Sequence, residues 1–382
     1  MIHHEGVIDV ADKLYVALAA GGTAGHINPA LALAEELRMR GHRVVFVGQP
    51  TRLEATLVPA AGFDFIPIRV NGFNRRQPWT LASALWHIYR AEHVLATYFK
   101  HDTPDVCVGF GAYVELALVS WCKKHAVPLI IHEQNSIAGL ANKLAARSAK
   151  SVCVSFPAAL EAFKGKVGAD TQLVVTGNPV RLSVLQADRK TARQTYHIPD
   201  DALLLVVFGG SLGAKHLNEQ IVARKTELMS HDGLYIIQAT GKADYQQTCA
   251  ALNLSEDEKK RWHVLDYIND MGEVLAACDI VVSRAGASSI AELAALAKPS
   301  ILVPYPLATA DHQTTNARGL VDAGAAFMIC DKDLESTYFT ERLNSLLESA
   351  ELRESLTAAA KGLAQDKAAC ALADQVEHAA VM

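Results

Sequence analysis

Two glycine-rich segments, Gly21-Gly22-Thr23-Ala24-Gly25-His26 and Gly209-Gly210-Ser211-Leu212-Gly213-Ala214, stand nearly half the chain apart. Each follows a short, continuously apolar run, Leu14 to Ala20 and Leu203 to Phe208, and each opens a helix-like pattern. Such runs read as strands buried on both faces of a parallel sheet. Glycine at the carboxyl end of a strand lets the backbone approach a ligand. The N–H groups of the following helix then offer donors and a positive dipole end to an anion. Either segment alone reads equally well as a tight α/β turn; the pair implies a phosphorylated ligand handled by two domains. Neither has the G-x-G-x-x-G spacing of a dinucleotide site or the Gly-Lys-Ser/Thr ending of a P-loop, which disfavours both classes.

The other apolar runs alternate with amphipathic stretches, as in parallel sheets covered by helices. In the first half, strands are predicted at Arg43 to Val47, Phe63 to Ile68, Asp105 to Val108, Pro128 to His132, Ser151 to Val154 and Gln172 to Thr176. The second half predicts them at Tyr235 to Gln238, His263 to Leu265, Asp279 to Ser283, Ser300 to Val303 and Ala326 to Ile329. The pattern restarts after Pro179, and the polar stretch Gln186 to Asp201 reads as a linker. The expected fold class is α/β, two doubly wound Rossmann-like domains facing across a cleft with a glycine loop from each beside it. Their expected extents are 13–181 and 182–360, with a C-terminal helix over 361–382 returning to the first domain.

A chain of 382 residues, half of them hydrophobic, exceeds a single core. Its 36 Lys and Arg against 41 Asp and Glu leave a net charge of −5, without the basic footprint that nucleic acid selects. Met1 to Asp12 lacks the basic and apolar regions of a secretory signal, and no apolar stretch reaches transmembrane length. The seven cysteines, at positions 107, 122, 153, 249, 278, 330 and 370, are odd in number and widely spaced. They read as reduced cytosolic thiols. No Asp-x-Asp pair or His/Cys cluster stands out as a metal site.

Six motifs occur in order: Gly21 to Ala30, His132-Glu133-Gln134-Asn135, Gly177-Asn178-Pro179-Val180-Arg181, Gly209 to Ala214, Ser283-Arg284-Ala285-Gly286-Ala287 and Asp311-His312-Gln313-Thr314-Thr315-Asn316-Ala317. From Leu14 onward the chain resembles the MurG family of bacterial peptidoglycan N-acetylglucosaminyltransferases, within glycosyltransferase family 28. The residues before Leu14 have no counterpart there. The resemblance implies a GT-B fold and inverting transfer of N-acetylglucosamine from UDP-N-acetylglucosamine to the 4-hydroxyl of the muramyl sugar of lipid I, giving lipid II and UDP. It further implies a peripheral protein on the cytoplasmic face of the cell membrane, no required cofactor, Mg²⁺ as a stimulant at most, and other wall-synthesis and division proteins as candidate partners.

Leaving-group charge on UDP calls for pre-oriented donors, a task suited to Ser211, its loop amides and Arg181. Glu292, in the helix-like run Ser288 to Ala297, can accept two bonds from vicinal ribose hydroxyls. Residue patterning alone favours an exposed helix glutamate there, and the resemblance reverses that. The resemblance assigns uracil recognition to the backbone of Ile268 and sugar contacts to His312, Gln313 and Asn135. Thr23, Ala24, Gly25 and the helix start Ala287, Ser288, Ser289, Ile290 and Ala291 complete the donor set. Gly22, Gly109, Gly111 and Tyr113 are candidates for the acceptor diphosphate. Removing the acceptor proton requires a base near neutral pKa; His26 ranks first and Glu133 second, with base and acceptor-binding roles both open. Between Gly72 and Lys100, Trp79, Leu85 and Trp86 with Arg75 and Arg76 suit a lipid interface, and equally a helix packed on the sheet. The resemblance tips this toward lipid.

Two other classes stay open: a different GT-B enzyme acting on a lipid or small molecule, and a non-catalytic nucleotide-sugar binder. The joint presence of His26, Asn135, Glu292 and Gln313 favours the first reading over the second class. A candidate base argues against the third.

Overall fold

A computed structural model describes residues 13–72, 79–210 and 213–381. The described chain forms two compact units. The first holds residues up to Gln134, Ala138–Pro179 and the C-terminal segment from Lys367; the second holds Asn135–Ile137 and Val180–Asp366.

In the first unit the strands are β1 (Tyr15–Ala19), β2 (Arg43–Gly48), β3 (Asp64–Pro67), β4 (Val106–Gly109), β5 (Leu129–Glu133), β6 (Ser151–Val154) and β7 (Gln172–Val175). They form one parallel sheet in the order β3-β2-β1-β4-β5-β6-β7. The second unit contains β8 (Leu203–Phe208), β9 (Leu234–Ala239), β10 (Trp262–Leu265), β11 (Ile280–Ser283), β12 (Ser300–Leu302) and β13 (Ala326–Met328), parallel in the order β10-β9-β8-β11-β12-β13. Every predicted strand is present, with ends shifted by at most one residue.

The helices that matter for the sites are α1 (Ala24–Met39), α2 (Glu54–Ala60), α3 (Thr80–Tyr98), α4 (Ala112–His125), α5 (Leu140–Ala145), α6 (Arg189–Thr195), α7 (Lys215–Val222), α8 (Ala287–Ala295), α9 (His312–Asp322) and α10 (Ala368–Val381). Alternation along β1 sends Val16 and Leu18 to one face, where they pack with Ile27 and Leu31 of α1 and Leu372 and Val376 of α10. Ala17 and Ala19 face the other way, with Leu95 of α3 and Val114, Leu118 and Trp121 of α4. Both faces are therefore dry, which is why the strands read as unbroken apolar runs.

Polar clamps fasten α10 to this core. Arg40 donates to Asp374 at 2.6 Å, Glu377 at 3.0 Å and the Cys370 carbonyl at 3.2 Å, while His42 Nε2 and Glu377 lie 2.9 Å apart.

The stretch Gln186 to Asp201 differs from expectation: it folds into the second unit instead of linking the two. Asp188 caps α6 by accepting the Thr191 N–H at 2.8 Å. Arg193, fully buried, donates to the carbonyls of Pro199 at 2.6 Å and Ala277 at 3.0 Å and pairs with Asp279. A sequence pattern registers Arg193 as polar and cannot register the carbonyls it finds. The division itself falls between Pro179 and Val180 and again between Asp366 and Lys367.

In both sheets the strand order reverses beside the first strand, between β1 and β4 and between β8 and β11. Helices leave to opposite faces at such a point and open a crevice at the strands' carboxyl ends. Each glycine-rich segment follows the first strand of its sheet and so lies at that crevice.

Candidate active site

Three neighbouring strand ends build the first unit's site. Ala19 of β1 is paired with Gly109 of β4, and Gly109 with Ile131 of β5. The loops that follow carry Gly22 to His26, Gly109 to Tyr113, and Glu133. Thr23, Ala24 and Gly25 lead into α1, and His26 lies on its first turn, its Nδ1 3.2 Å from Thr23 Oγ1. When Nδ1–H donates to that hydroxyl, Nε2 keeps its lone pair, the form a proton acceptor needs. Gly111, at φ +89°, brings its backbone against the ring: an ideal Cβ there would sit 3.4 Å from His26 Nε2.

Glu133 is buried, and its Oε2 accepts the Gly139 N–H and the Asn142 Nδ2–H, both at 2.8 Å. Its neighbour His132 is a structural imidazole. Burial pushes it down to about 4, so it is neutral; Nε2–H donates to the Gly177 carbonyl at 2.9 Å and Nδ1 accepts from Gln134. The Tyr113 ring packs on Gly72, where an ideal Cβ would be 2.4 Å from it.

Sequence reasoning missed Glu54. This wholly buried carboxyl on the first turn of α2 accepts the Gly22 N–H at 3.1 Å through Oε2 and the Gln49 N–H at 3.0 Å through Oε1. It ties the first glycine loop to the loop after β2. A lone Glu ahead of a helix reads as an ordinary acidic first turn, and its partner Gly22 lies 32 residues away.

In the second unit, β8 and β11 pair through Phe208 and Ser283, and Ser283 pairs with Leu302 of β12. Gly209 and Gly210 follow β8; Ser211 lies outside the described residues. Gly213 approaches the β9 loop so closely that a Cβ would stand 2.3 Å from the Thr240 carbonyl. Asn218 of α7, buried, donates to the same carbonyl at 2.9 Å, bracing the loop.

After β11, Ala287, Ser288, Ser289, Ile290 and Ala291 form the first turns of α8, whose cap is Gly286. Glu292 follows on this helix and is buried, unlike the exposed glutamate that residue patterning favoured. Burial pushes its carboxyl up to about 7, and the Arg181 charge opposes that rise. Burial and the Glu292 charge also raise the Tyr267 phenol. Arg181, Tyr267 and Glu292 thus share one electrostatic neighbourhood. Next to Tyr267, Ile268 is buried.

Gln313 bridges two loops: its Oε1 accepts the N–H of Ala285 at 3.2 Å and of Tyr305 at 2.9 Å, which leaves the amide nitrogen as its donor. His312 Nδ1–H donates to the Thr309 carbonyl at 2.9 Å, keeping Nε2 for other partners. Asn316, one turn later on α9 and fully buried, takes Ser136 N–H and Oγ–H at 2.9 and 2.8 Å and donates to Asn135 Oδ1 at 3.4 Å. Asn135 and His312 are therefore drawn together through Asn316, which sequence reasoning quoted in a motif without a role. Its spacing of four from His312 was the available signal.

The Asp-x-Asp spacing does occur, at Asp331-Lys332-Asp333. Burial pushes Asp331 up, but hydrogen bonds from His216 and Arg284 outweigh it and hold the carboxyl below its ordinary range. Asp331 is thereby spent on the buried Arg284. Among the described residues no group of three His, Cys, Asp or Glu is placed to hold a metal.

On α3 the alternative of an aromatic face packed on the sheet does not hold for Trp79, Leu85 and Trp86. Ala84, Ala91 and Leu95 are buried, whereas Trp79 is 70%, Leu85 57% and Trp86 52% exposed. Glu92 pairs with Lys124 of α4 and fixes that orientation. Arg90 lies over the Trp86 ring at 4.8 Å. Arg75 and Arg76 lie outside the described residues. No described helix is long and apolar enough to cross a membrane.

Residues 16–154 match the N-terminal domain of glycosyltransferase family 28, and residues 204–375 match its C-terminal domain. Two relatives bear the name UDP-N-acetylglucosamine–N-acetylmuramyl-(pentapeptide) pyrophosphoryl-undecaprenol N-acetylglucosamine transferase. The one from Desulforamulus reducens is 36% identical over 92% of this chain and 95% of its own length. That from Acetivibrio thermocellus is 37% identical over 87% of this chain and 89% of its own. The chain belongs to the MurG family. Its fold is accordingly GT-B: the crystal structure of Acinetobacter baumannii MurG matches with a TM-score of 0.69 and 28% identity, over 96% of this chain and all of that one.

Within this MurG-family site, Glu54 is the brace of the first glycine loop. Glu54→Ala leaves two buried N–H groups without an acceptor and should destabilise the protein by roughly 1.5–3 kcal/mol for each. Glu54→Gln, which keeps one carbonyl oxygen, should lose about half of that. Equal denaturant midpoints for wild type and Glu54→Ala would remove this role.

Proposed function

We propose that this chain catalyses the reaction for which its relatives are named, moving N-acetylglucosamine from UDP-N-acetylglucosamine to the muramyl 4-hydroxyl of lipid I. What carries the reading is the likeness to those relatives over about nine-tenths of the chain. The donor groups in the second unit and the base candidates in the first agree with it.

In this reading the 4-hydroxyl oxygen attacks the anomeric carbon as its proton passes to His26 Nε2. The bond from that carbon to the β-phosphate oxygen breaks, the electron pair leaves with UDP, and configuration inverts. Diphosphate charge is met by the N–H groups at the start of α8, the Gly209–Gly210 turn and Arg181, and no metal is given a step. Ribose hydroxyls donate to Glu292, the main chain of Ile268 reads uracil, and Gln313, His312 and Asn135 sort the sugar hydroxyls. Glu133, whose Oε2 accepts from Gly139 and Asn142, is the second candidate for this role. The exposed aromatic face of α3 rests on the cytoplasmic leaflet of the cell membrane, with Arg90 toward the headgroups.

Three measurements test this. With labelled UDP-N-acetylglucosamine and a soluble lipid I analogue, wild type should form the disaccharide product, and His26→Ala should cut turnover by roughly 10²–10⁴-fold with donor affinity kept. If Glu133→Ala abolishes turnover while His26→Ala only raises acceptor KM, the two roles exchange.

Donor binding should depend on pH through Glu292. The ionised form is the acceptor for the ribose, so affinity for UDP-N-acetylglucosamine should fall as pH drops below about 7, by up to about tenfold per unit. Glu292→Gln should bind more weakly and lose that slope in titration calorimetry. A slope that persists in the variant points to another group.

Replacing Trp79, Leu85 and Trp86 with Ser should abolish flotation with anionic vesicles while leaving the thermal melt and transfer to a soluble acceptor intact, because these side chains are exposed. Undiminished flotation would exclude this face.

A further inference from the structure

Glu115, on the first turn of α4, is fully buried and unused by the mechanism above. Its side chain lies along the turn after β4. Oε2 accepts the Gly111 N–H in a short bond, and an ideal Cβ on Gly109 would come within 2.6 Å of both Cγ and Oε2. Oε1 is buried and has no hydrogen-bond partner. Gly111 is thus held by a carboxyl through its N–H, and its backbone also meets His26, where an ideal Cβ would be 3.3 Å from Cδ2. The same Cβ would be 3.7 Å from Asn142 Nδ2, the group that donates to Glu133. The amide of Gly111 is spent on Glu115, so this glycine offers the site an α-carbon surface in place of an N–H donor.

We propose that Glu115 is a positioning residue: its buried carboxyl sets the Gly109–Gly111 turn against which the His26 imidazole rests. Only the kinetic consequence depends on the reading of His26 as proton acceptor.

The carboxyl does this as the neutral acid. Burial pushes it up to about 8, the Glu133 charge adds to the rise, and the Gly111 N–H opposes it. With Oε2 accepting from Gly111, the proton sits on Oε1, the atom without a partner. The ionisable groups around the turn are Glu133 and His132 on β5, the latter neutral with its ring on Phe110, His26 on α1 and Tyr113 on α4; Asn142 on α5 is neutral. Loss of the Glu115 proton places a second negative charge beside Glu133 in a dry site. A carboxyl raised from 4.5 to about 8 on folding contributes stability that is complete below about 4.5 and is lost progressively as pH rises from there to about 8.

The test compares full-length wild type, Glu115→Gln and Glu115→Ala. It follows the His26 ring by long-range ¹H–¹⁵N spectra, assigned with His26→Gln, and measures melts from about pH 4.5 upward and kinetics across about pH 8. Glu115→Ala should shift the His26 resonances and lower kcat by roughly 10–100-fold while leaving KM for UDP-N-acetylglucosamine unchanged. Glu115→Gln, which keeps an oxygen for the Gly111 N–H and cannot ionise, should restore neutral-pH turnover. It should also flatten the fall in melting temperature between about pH 4.5 and 8 and the fall in kcat as pH rises through about 8. His26 resonances that stay in place in Glu115→Ala, or a fall in stability between about pH 4.5 and 8 that is as steep in Glu115→Gln as in wild type, would overturn the proposal. If Glu115→Ala does not fold, the Gln variant's pH profile decides alone. Shifted resonances with unchanged kcat would uphold the positioning and instead remove His26 from proton transfer.

Discussion

A parallel sheet that is dry on both faces leaves a chain few places to expose chemistry. In each unit the strand order reverses beside the first strand, and the helices there must leave to opposite faces. That reversal opens the crevice at the carboxyl ends of β1 and β4 in one unit and of β8 and β11 in the other. His26, Gly111 and Glu133 occupy successive strand ends at the first crevice; Arg284, Glu292 and Gln313 follow the strand ends at the second. The sheet topology, more than any single contact, decides which residues can meet a substrate.

Around these crevices the buried polar groups fall into two electrostatic kinds. Some are kept neutral by desolvation: His132 at the Gly177 carbonyl and Glu115 at the Gly111 N–H. Others keep their charge because donors surround them, as Asp331 does between His216 and Arg284. Glu292 lies between these kinds, with burial raising it and Arg181 opposing. Such a group changes state easily when a ligand brings hydroxyl donors to it. The sites thus combine fixed braces with one carboxyl poised near neutrality.

The strands were legible because a strand buried on both faces must be apolar throughout, as Leu203–Phe208 is, whatever its neighbours. The six motifs were legible because their glycines and polar residues interrupt such runs at fixed places. What stayed hidden were buried polar residues whose meaning depends on distant partners. Glu54 reads as a helix-start acid until Gly22 is placed beside it, and Asn218 as surface polarity until the Thr240 carbonyl meets it. Arg193 made α6 look like linker for the same reason. On α3 the ambiguity was geometric: aromatics at helical spacing fit a core as well as a surface, and only the buried Ala84, Ala91 and Leu95 on the opposite side resolve it.

The return of α10 to the first unit makes that unit discontinuous in sequence, with the second unit threaded through it as an insertion. Bonds such as Arg40 to Glu377 span 337 residues. During synthesis the apolar face of α1 must therefore wait for Leu372 and Val376 until nearly the whole chain has emerged, while the second unit can close on its own beforehand. The order of emergence from the ribosome thus assigns the later completion to the unit that carries His26.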